Sequence, residues 1–152
     1  SGIKTLEQAK GKKWVMPEEV AYMTRFCRAE LRDQGIALST LKVQYVREQA
    51  AVKFYMDNGF AEVGGVASYA GARTQFDKEG AVLIHTSVAQ PYFPLIASSK
   101  VSPAQVLALQ QSLAAMKDDA AGQAMLKRIG IEAFDTAAES RLRDLNAWLE
   151  KK

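Results

Sequence analysis

The sequence predicts an α/β domain built on an open, mainly parallel sheet with helices on both faces and a helical segment at the C-terminal end. Three observations carry this. Short apolar or alternating runs recur at Lys13–Met16 (KWVM), Leu41–Val46 (LKVQYV) and Ala61–Val66 (AEVGGV). Stretches with helical apolar spacing separate them, and strands alternating with helices are the pattern of a parallel sheet. The last third carries helix-start signals and no strand pattern. At 152 residues the chain is one domain, long enough to bury a core without disulfides or metals.

The elements follow in order. Lys13–Met16 is a strand closed by Pro17. Glu18 and Glu19 open a helix with apolar residues at Val20, Met23, Cys27 and Leu31, and Gly35 supplies its stop. Leu41–Val46 alternates as a half-buried strand does. Ala50, Ala51, Phe54 and Tyr55 mark the next helix, which ends at Asn58-Gly59. Ala61–Val66 is a third strand, whose two glycines let another backbone or a ligand come close. Ala81–Ser87 (AVLIHTS) and Phe93–Ser99 (FPLIASS) read as two more runs around a turn at Gln90-Pro91.

Ser102-Pro103-Ala104-Gln105 is a capping box with proline at the first helical position. Val106, Leu109, Leu113 and Met116 are the expected buried face of that helix. A second helix runs near Asp119–Ile129 and stops at Gly130. Thr136-Ala137-Ala138-Glu139 is a further capping box, leading into Leu142, Leu145, Trp148 and Leu149.

Composition excludes several classes. The net charge of +3 is mild and the basic residues are spread along the chain, which gives none of the dense basic stripe of a nucleic-acid binder. One cysteine allows no intrachain disulfide, and with one histidine a metal site would have to be mostly carboxylate. No apolar run approaches the ~20 residues of a membrane span. Ser1-Gly2-Ile3-Lys4 shows no signal-peptide pattern and reads as a mature start or an expression scar. The glycine-rich stretch from Gly59 to Gly65 lacks the Lys and Ser/Thr of a P-loop, since Gly64 is followed by Gly65 and Val66. No cofactor is expected.

In an open parallel sheet ligands bind beyond the carboxyl ends of the strands. That rule singles out Pro17–Thr24, Val46–Gln49, Ala67–Tyr69 and His85–Ser87. Glu18 and Glu19 either complement a helix dipole or line a cleft and favour a cationic group. Arg47 either clamps a carboxylate or phosphate or pairs with a surface acid. Ser68 and Tyr69 offer hydroxyls at a strand end or sit in a simple turn. Tyr92 and Phe93 form an apolar wall or cover the sheet. Cys27 and His85 are a candidate thiolate–imidazole pair, against the commoner reading of a buried, inert thiol.

The order of the segments resembles one family. Leu6–Met16 (LEQAKGKKWVM), Gly59-Phe60-Ala61-Glu62-Val63-Gly64, Ser87–Ala97 (SVAQPYFPLIA) and Ser102–Phe134, with MKDDAAGQAMLKRIGIEAF, are similar to segments of ABC-transporter substrate-binding proteins of the phosphate/phosphite/phosphonate type. The similar part is the second lobe of that type II periplasmic-binding-protein fold together with its C-terminal helices. The resemblance implies residues 1–100 as a second-lobe-like α/β region with a return strand, and residues 101–152 as C-terminal helices packing on it. The family's first lobe would stand ahead of Ser1.

The resemblance also implies a non-enzymatic, periplasmic receptor that takes a small polar ligand and passes it to a membrane permease. Its candidate contacts are Glu18, Glu19, Tyr22 and Thr24 from the first loop, Arg47 and Glu48 from the second, and Ser68 and Tyr69 from the third. Arg47, Ser68 and Tyr69 would hold an anionic end, and Glu18 or Glu19 an amine. The first loop departs from the Ser/Thr-rich anion loop of phosphonate-binding members, and Arg47-Glu48 replaces the histidine often found after the second strand. Two rivals stand beside the receptor. One is a sensory or protein-interaction domain on the same fold, with a partner protein or homo-oligomer contact at the tail from Leu142 to Leu149. The other is a small hydrolase using Cys27 and His85.

Overall fold

In the computed structural model, which describes residues 2–91, 94–136 and 138–151, the run KWVMP forms the central strand β1, Lys13–Pro17. All its residues after Lys13 are buried, as the middle strand of a parallel sheet requires. β2 (Lys42–Val46) pairs with it in parallel, from Lys13 opposite Lys42 to Pro17 opposite Val46. β3 (Val63–Gly64) pairs on the other side through Trp14 with Val63 and Val15 with Gly64. The sheet order is β2-β1-β3.

Side chains alternate across this sheet and divide the core in two. Trp14, Met16 and Val63 join Ala9 and Leu31 on the face covered by α1 (Leu6–Ala9) and α2 (Tyr22–Asp33). The Trp14 indole donates to the Ala9 carbonyl at 3.0 Å, so its polar edge is satisfied inside the core. Val15 turns to the opposite face and packs with Val46, Val52 and Ala61 under α3 (Gln49–Asp57). Val15, Met16 and Val52 have no exposed surface, and each such side chain contributes about 1.5–3 kcal/mol of burial.

The paired glycines of AEVGGV serve this packing. A Cβ on Gly64 would stand 2.4 Å from Met56 Sδ and 2.8 Å from Val52 Cγ1, both on α3. One on Gly65 would stand 3.3 Å from Met23 Cε and 3.4 Å from Cys27 Sγ, both on α2. The close visitors are therefore helix side chains from both faces, where the sequence suggested a backbone or a ligand.

Several expected boundaries shift. Glu18 and Glu19 precede α2 instead of opening it, because Glu18 O accepts the Ala21 amide at 2.9 Å in a turn. The third strand shrinks to Val63–Gly64. A helix not anticipated, α4 (Gly71–Lys78), buries Ala72. It is joined to α3 by Lys53, whose Nζ meets Asp57 at 2.7 Å and Glu79 at 2.6 Å and lies 5.4 Å from the Phe76 ring centre.

Between Ala81 and Val101 the described residues form neither helix nor strand, so AVLIHTS and the described part of FPLIASS are corrected from strand to extended coil. An apolar run becomes a strand only where a neighbour offers its backbone a ladder. Leu83, Leu95 and Ile96 are 55%, 67% and 87% exposed. Tyr92 and Phe93 lie outside the described residues.

The chain divides into two units, Ser1–Ala89 with Ala147–Lys152, and Gln90–Asn146. In the second, α5 (Pro103–Ala115) starts at the expected Ser102–Gln105 capping box. Its expected buried face is not buried: α5 has no buried residue, and Leu109 is 57% exposed. A 3-10 turn, Met116–Asp118, leads to α6 (Ala120–Ile129), which ends at Gly130 with φ +74°. A Cβ on Gly122 of α6 would stand 2.1 Å from the Met116 carbonyl oxygen, so this contact admits only glycine. α7 (Ala138–Glu150) follows and passes from the second unit into the first. Ala137, in the expected capping box before it, lies outside the described residues. Among the described residues no helix is long and apolar enough to cross a membrane.

Candidate functional site

The three parallel strands end at Pro17, Val46 and Gly64, and a helix starts after each: α2 after residues 18–21, α3 after 47–48 and α4 after 65–70. Parallel pairing thus brings three helix starts to one sheet edge, each with its first two amides lacking an intrahelical acceptor, while the third amides of α3 and α4, Ala51 and Arg73, already donate to Glu48 O and Ala70 O. The N-cap positions are Ala21, Glu48 and Ala70, and none makes a side-chain cap bond. Elsewhere the rule is different. Thr5, Ser102 and Asp119 each cap α1, α5 and α6 through a side-chain oxygen.

The loops converge as topology requires. The Tyr22 hydroxyl is pushed up chiefly by burial and then by the Tyr69 hydroxyl, which places the first and third loops within electrostatic reach. Gln49 Oε1 accepts the Ala67 amide at 2.6 Å, a bond that ties the start of α3 to the third loop. Gln49 closes the loop Val46–Gln49 that the sequence singled out but was not named among its contacts, although a polar amide directly after Glu48 at a helix start was the available signal. Tyr45, also missed, is raised by burial first and then by the Glu19 charge, with Arg28 opposing.

The eight candidate contacts differ in what they can do. Thr24 is fully buried and donates to Pro17 O at 2.8 Å, so it braces the first loop instead of facing solvent. Glu19 lies 3.4 Å from Arg28 on α2. Glu18, Arg47, Glu48 and Ser68 are exposed, and no side-chain partner is found for them among the described residues. Tyr22 and Tyr69 are 43% and 52% exposed at the same edge. Three carboxylates and the Arg47 guanidinium therefore stand in the loops that lead into α2 and α3.

The thiolate–imidazole pair is corrected. Burial, and secondarily the Glu30 charge, push the Cys27 thiol up to about 11, and its Sγ lies against Met23 Sδ at 3.4 Å. The His85 imidazole is engaged by Glu30, with Nε2 3.1 Å from Oε2. A thiol protonated at neutral pH is no nucleophile. No cluster of metal-ligating side chains occurs among the described residues.

A family model described as the periplasmic phosphonate substrate-binding protein of ABC transporters matches residues 1–142. The chain belongs to this family. The family is one of binding proteins, not enzymes, and its members are receptors of the periplasm. No curated protein matches the sequence. Two solved structures of XAC2383 from Xanthomonas citri share the fold. The one bound to ATP has a TM-score of 0.73 at 19% identity, and the one bound to chloride ion a TM-score of 0.68 at 17% identity. Each likeness covers 99% of this chain and 62% of the other, so the chain spans less than two thirds of that neighbour's length. The α/β architecture read from the sequence is that of this binding-protein fold.

Proposed function

We propose that the strand-end edge is one wall of the ligand site of an ABC-type uptake receptor, and that its ligand carries both an anionic and a cationic group. The carrying observation is the set of three helix starts without side-chain caps at one sheet edge. Open first-turn amides and the positive helix ends suit a phosphonate, phosphate or carboxylate group. Arg47 adds a forked donor, and the Tyr22 and Tyr69 hydroxyls add neutral ones. The fold neighbour's structures with ATP and with chloride ion agree with an anionic group.

A simple anion meets opposition here. Glu18, Glu19 and Glu48 belong to the loops of that edge, and among the described residues only Glu19 has an ion-pair partner, Arg28 at 3.4 Å. In this reading Glu18 meets an ammonium group. An aminoalkylphosphonate-like or other zwitterionic solute satisfies both demands. In this reading a further lobe of the receptor closes over the solute, the complex hands it to a membrane permease, and the protein works in the periplasm. Catalysis has no part in it.

The test is a thermal-shift series with phosphate, methylphosphonate, 2-aminoethylphosphonate, ATP, sulfate, glycine and spermidine at millimolar concentration. A ligand at a hundredfold its dissociation constant stabilises by about 2.7 kcal/mol, roughly 5–10 °C for a chain of this size. The expected order places the aminophosphonate above methylphosphonate and phosphate, and Glu18→Gln narrows that gap. A flat series, or a shift with spermidine alone, overturns the proposal.

A further inference from the structure

The chain passes between its two units twice, after Ala89 and after Asn146. On the sheet-unit side both passages are fastened to the same helix. At the first, Glu30 of α2 spends one carboxylate oxygen on His85 Nε2 at 3.1 Å and the other on the Val88 amide at 2.9 Å. At the second, Arg32 Nη1 donates to the Trp148 carbonyl at 3.0 Å and to the Lys151 carbonyl at 2.6 Å. Asp33 accepts the Trp148 indole N–H at 2.6 Å, and the Phe26 ring meets the Trp148 ring edge-on at 4.9 Å.

These contacts are not generic surface pairing. Glu30 is 7% exposed, and a carboxylate is tolerated there only if its oxygens are satisfied. Both donors come from the segment leading to the first passage, and no other hydrogen bond reaches residues 82–89 from a distant part of the chain among the described residues. Arg32 takes carbonyls at the end of α7, which lack intrahelical donors and carry the negative end of its dipole. A cation over that end, an indole N–H on a carboxylate and an aromatic edge contact hold the last turn at three points.

We propose that the second half of α2 is a double anchor: Glu30 fixes the point where the chain first leaves the sheet unit, and Phe26, Arg32 and Asp33 fix the point where it returns. The same helix begins at Tyr22, in the strand-end edge. The anchor stands on contacts inside the sheet unit, whatever ligand that edge takes.

The experiment is amide exchange resolved by residue. Glu30→Leu is expected to speed exchange of the Val88 amide about tenfold or more, and Arg32→Met to do the same for amides near Trp148. Amides of β1 and β2 keep their rates in both. Unchanged exchange at Val88, unchanged exchange near Trp148, or equal loosening of β1 and β2 overturns the anchor. If Glu30→Leu does not fold, His85→Ala and Asp33→Ala each remove one bond and keep the buried Glu30 carboxylate. They should give the same local loosening in smaller degree, and its absence again overturns the proposal.

Discussion

Asp119 reaches the Gly122 amide at 2.7 Å and Ser102 closes a capping box with Gln105, whereas Ala21, Glu48 and Ala70 place no side-chain oxygen on the first turns of α2, α3 and α4. The difference follows the distribution of burial. The sheet unit holds Val15, Met16 and Val52 with no exposed surface, while α5 in the second unit buries nothing and α6 buries only Gly122 and Leu126. A side-chain cap is worth about 1 kcal/mol. Helices with little tertiary burial depend on that local contribution. Of the three helices at the strand ends, α2 and α3 forgo it and are held by their cores, whereas α4 forgoes it with Ala72 alone buried and is tied to α3 through Lys53 and Glu79.

The sharpest way to break this comparison is Gly122→Ala. Its Cβ would collide with the Met116 backbone, so α6 must separate from the 3-10 turn, at a cost of about 3 kcal/mol. Urea titration followed by amide exchange should show the loss confined to residues 90–146. A loss shared equally by the sheet unit would mean that the two units do not hold their stability separately.

Exchanging the capping chemistry gives a smaller effect with opposite signs. Ser102→Ala should lower stability by about 1 kcal/mol, and Ala70→Asp should raise it by a similar amount. The added carboxylate would also occupy the first-turn amides of α4, so Ala70→Asp should shrink any phosphonate-induced thermal shift. A stabilised variant that keeps the full ligand shift would show that the α4 start takes no part in binding.

The smallest effect is an acid limit on the docked tail. Bonds from the Trp148 indole and from Arg32 hold the Asp33 carboxyl below the usual aspartate range. A lowered folded value means that the stabilisation is complete above the unfolded pKa, about 3.9, and is lost as pH falls through the folded value. Tryptophan emission should therefore shift in acid before global unfolding, and Asp33→Asn should abolish that step. Lys53 sets an opposite limit. Its bonds to Asp57 and Glu79 raise its pKa, so that contribution holds below the ordinary lysine range and is lost as pH rises through the raised value.

Where a local signal decided a local structure, the sequence was readable. KWVM and KVQYV are strands, Ser102–Gln105 caps a helix and Gly130 ends one with positive φ. Reading failed where the outcome depended on what lies opposite. AVLIHTS has the composition of a strand and no ladder among the described residues, and the apolar positions of α5 have no cover that would make them a core. α4 escaped notice because Ala72 alone is buried on it, too little for a stripe. The candidate loops were accessible from topology, since strand ends in a parallel sheet converge. Which of their side chains point outward was not: Thr24 turned inward to Pro17, and Gln49 became the tie between two loops.

The Gly64-Gly65 pair also bears on how such a receptor can change its preference over evolutionary time. A methyl group at Gly64 pushes into Val52 and Met56 of α3, and one at Gly65 asks Met23 of α2 to give by a few tenths of an ångström, so Gly64 is the less replaceable of the two. Glu18, Arg47 and Ser68 stand in open solvent, where substitutions usually stay within about 0.5 kcal/mol of neutral. On the proposed reading of that edge, descendants of this chain can wander among solutes by changing the charges at the rim, while the strands and helices behind them stay as they are.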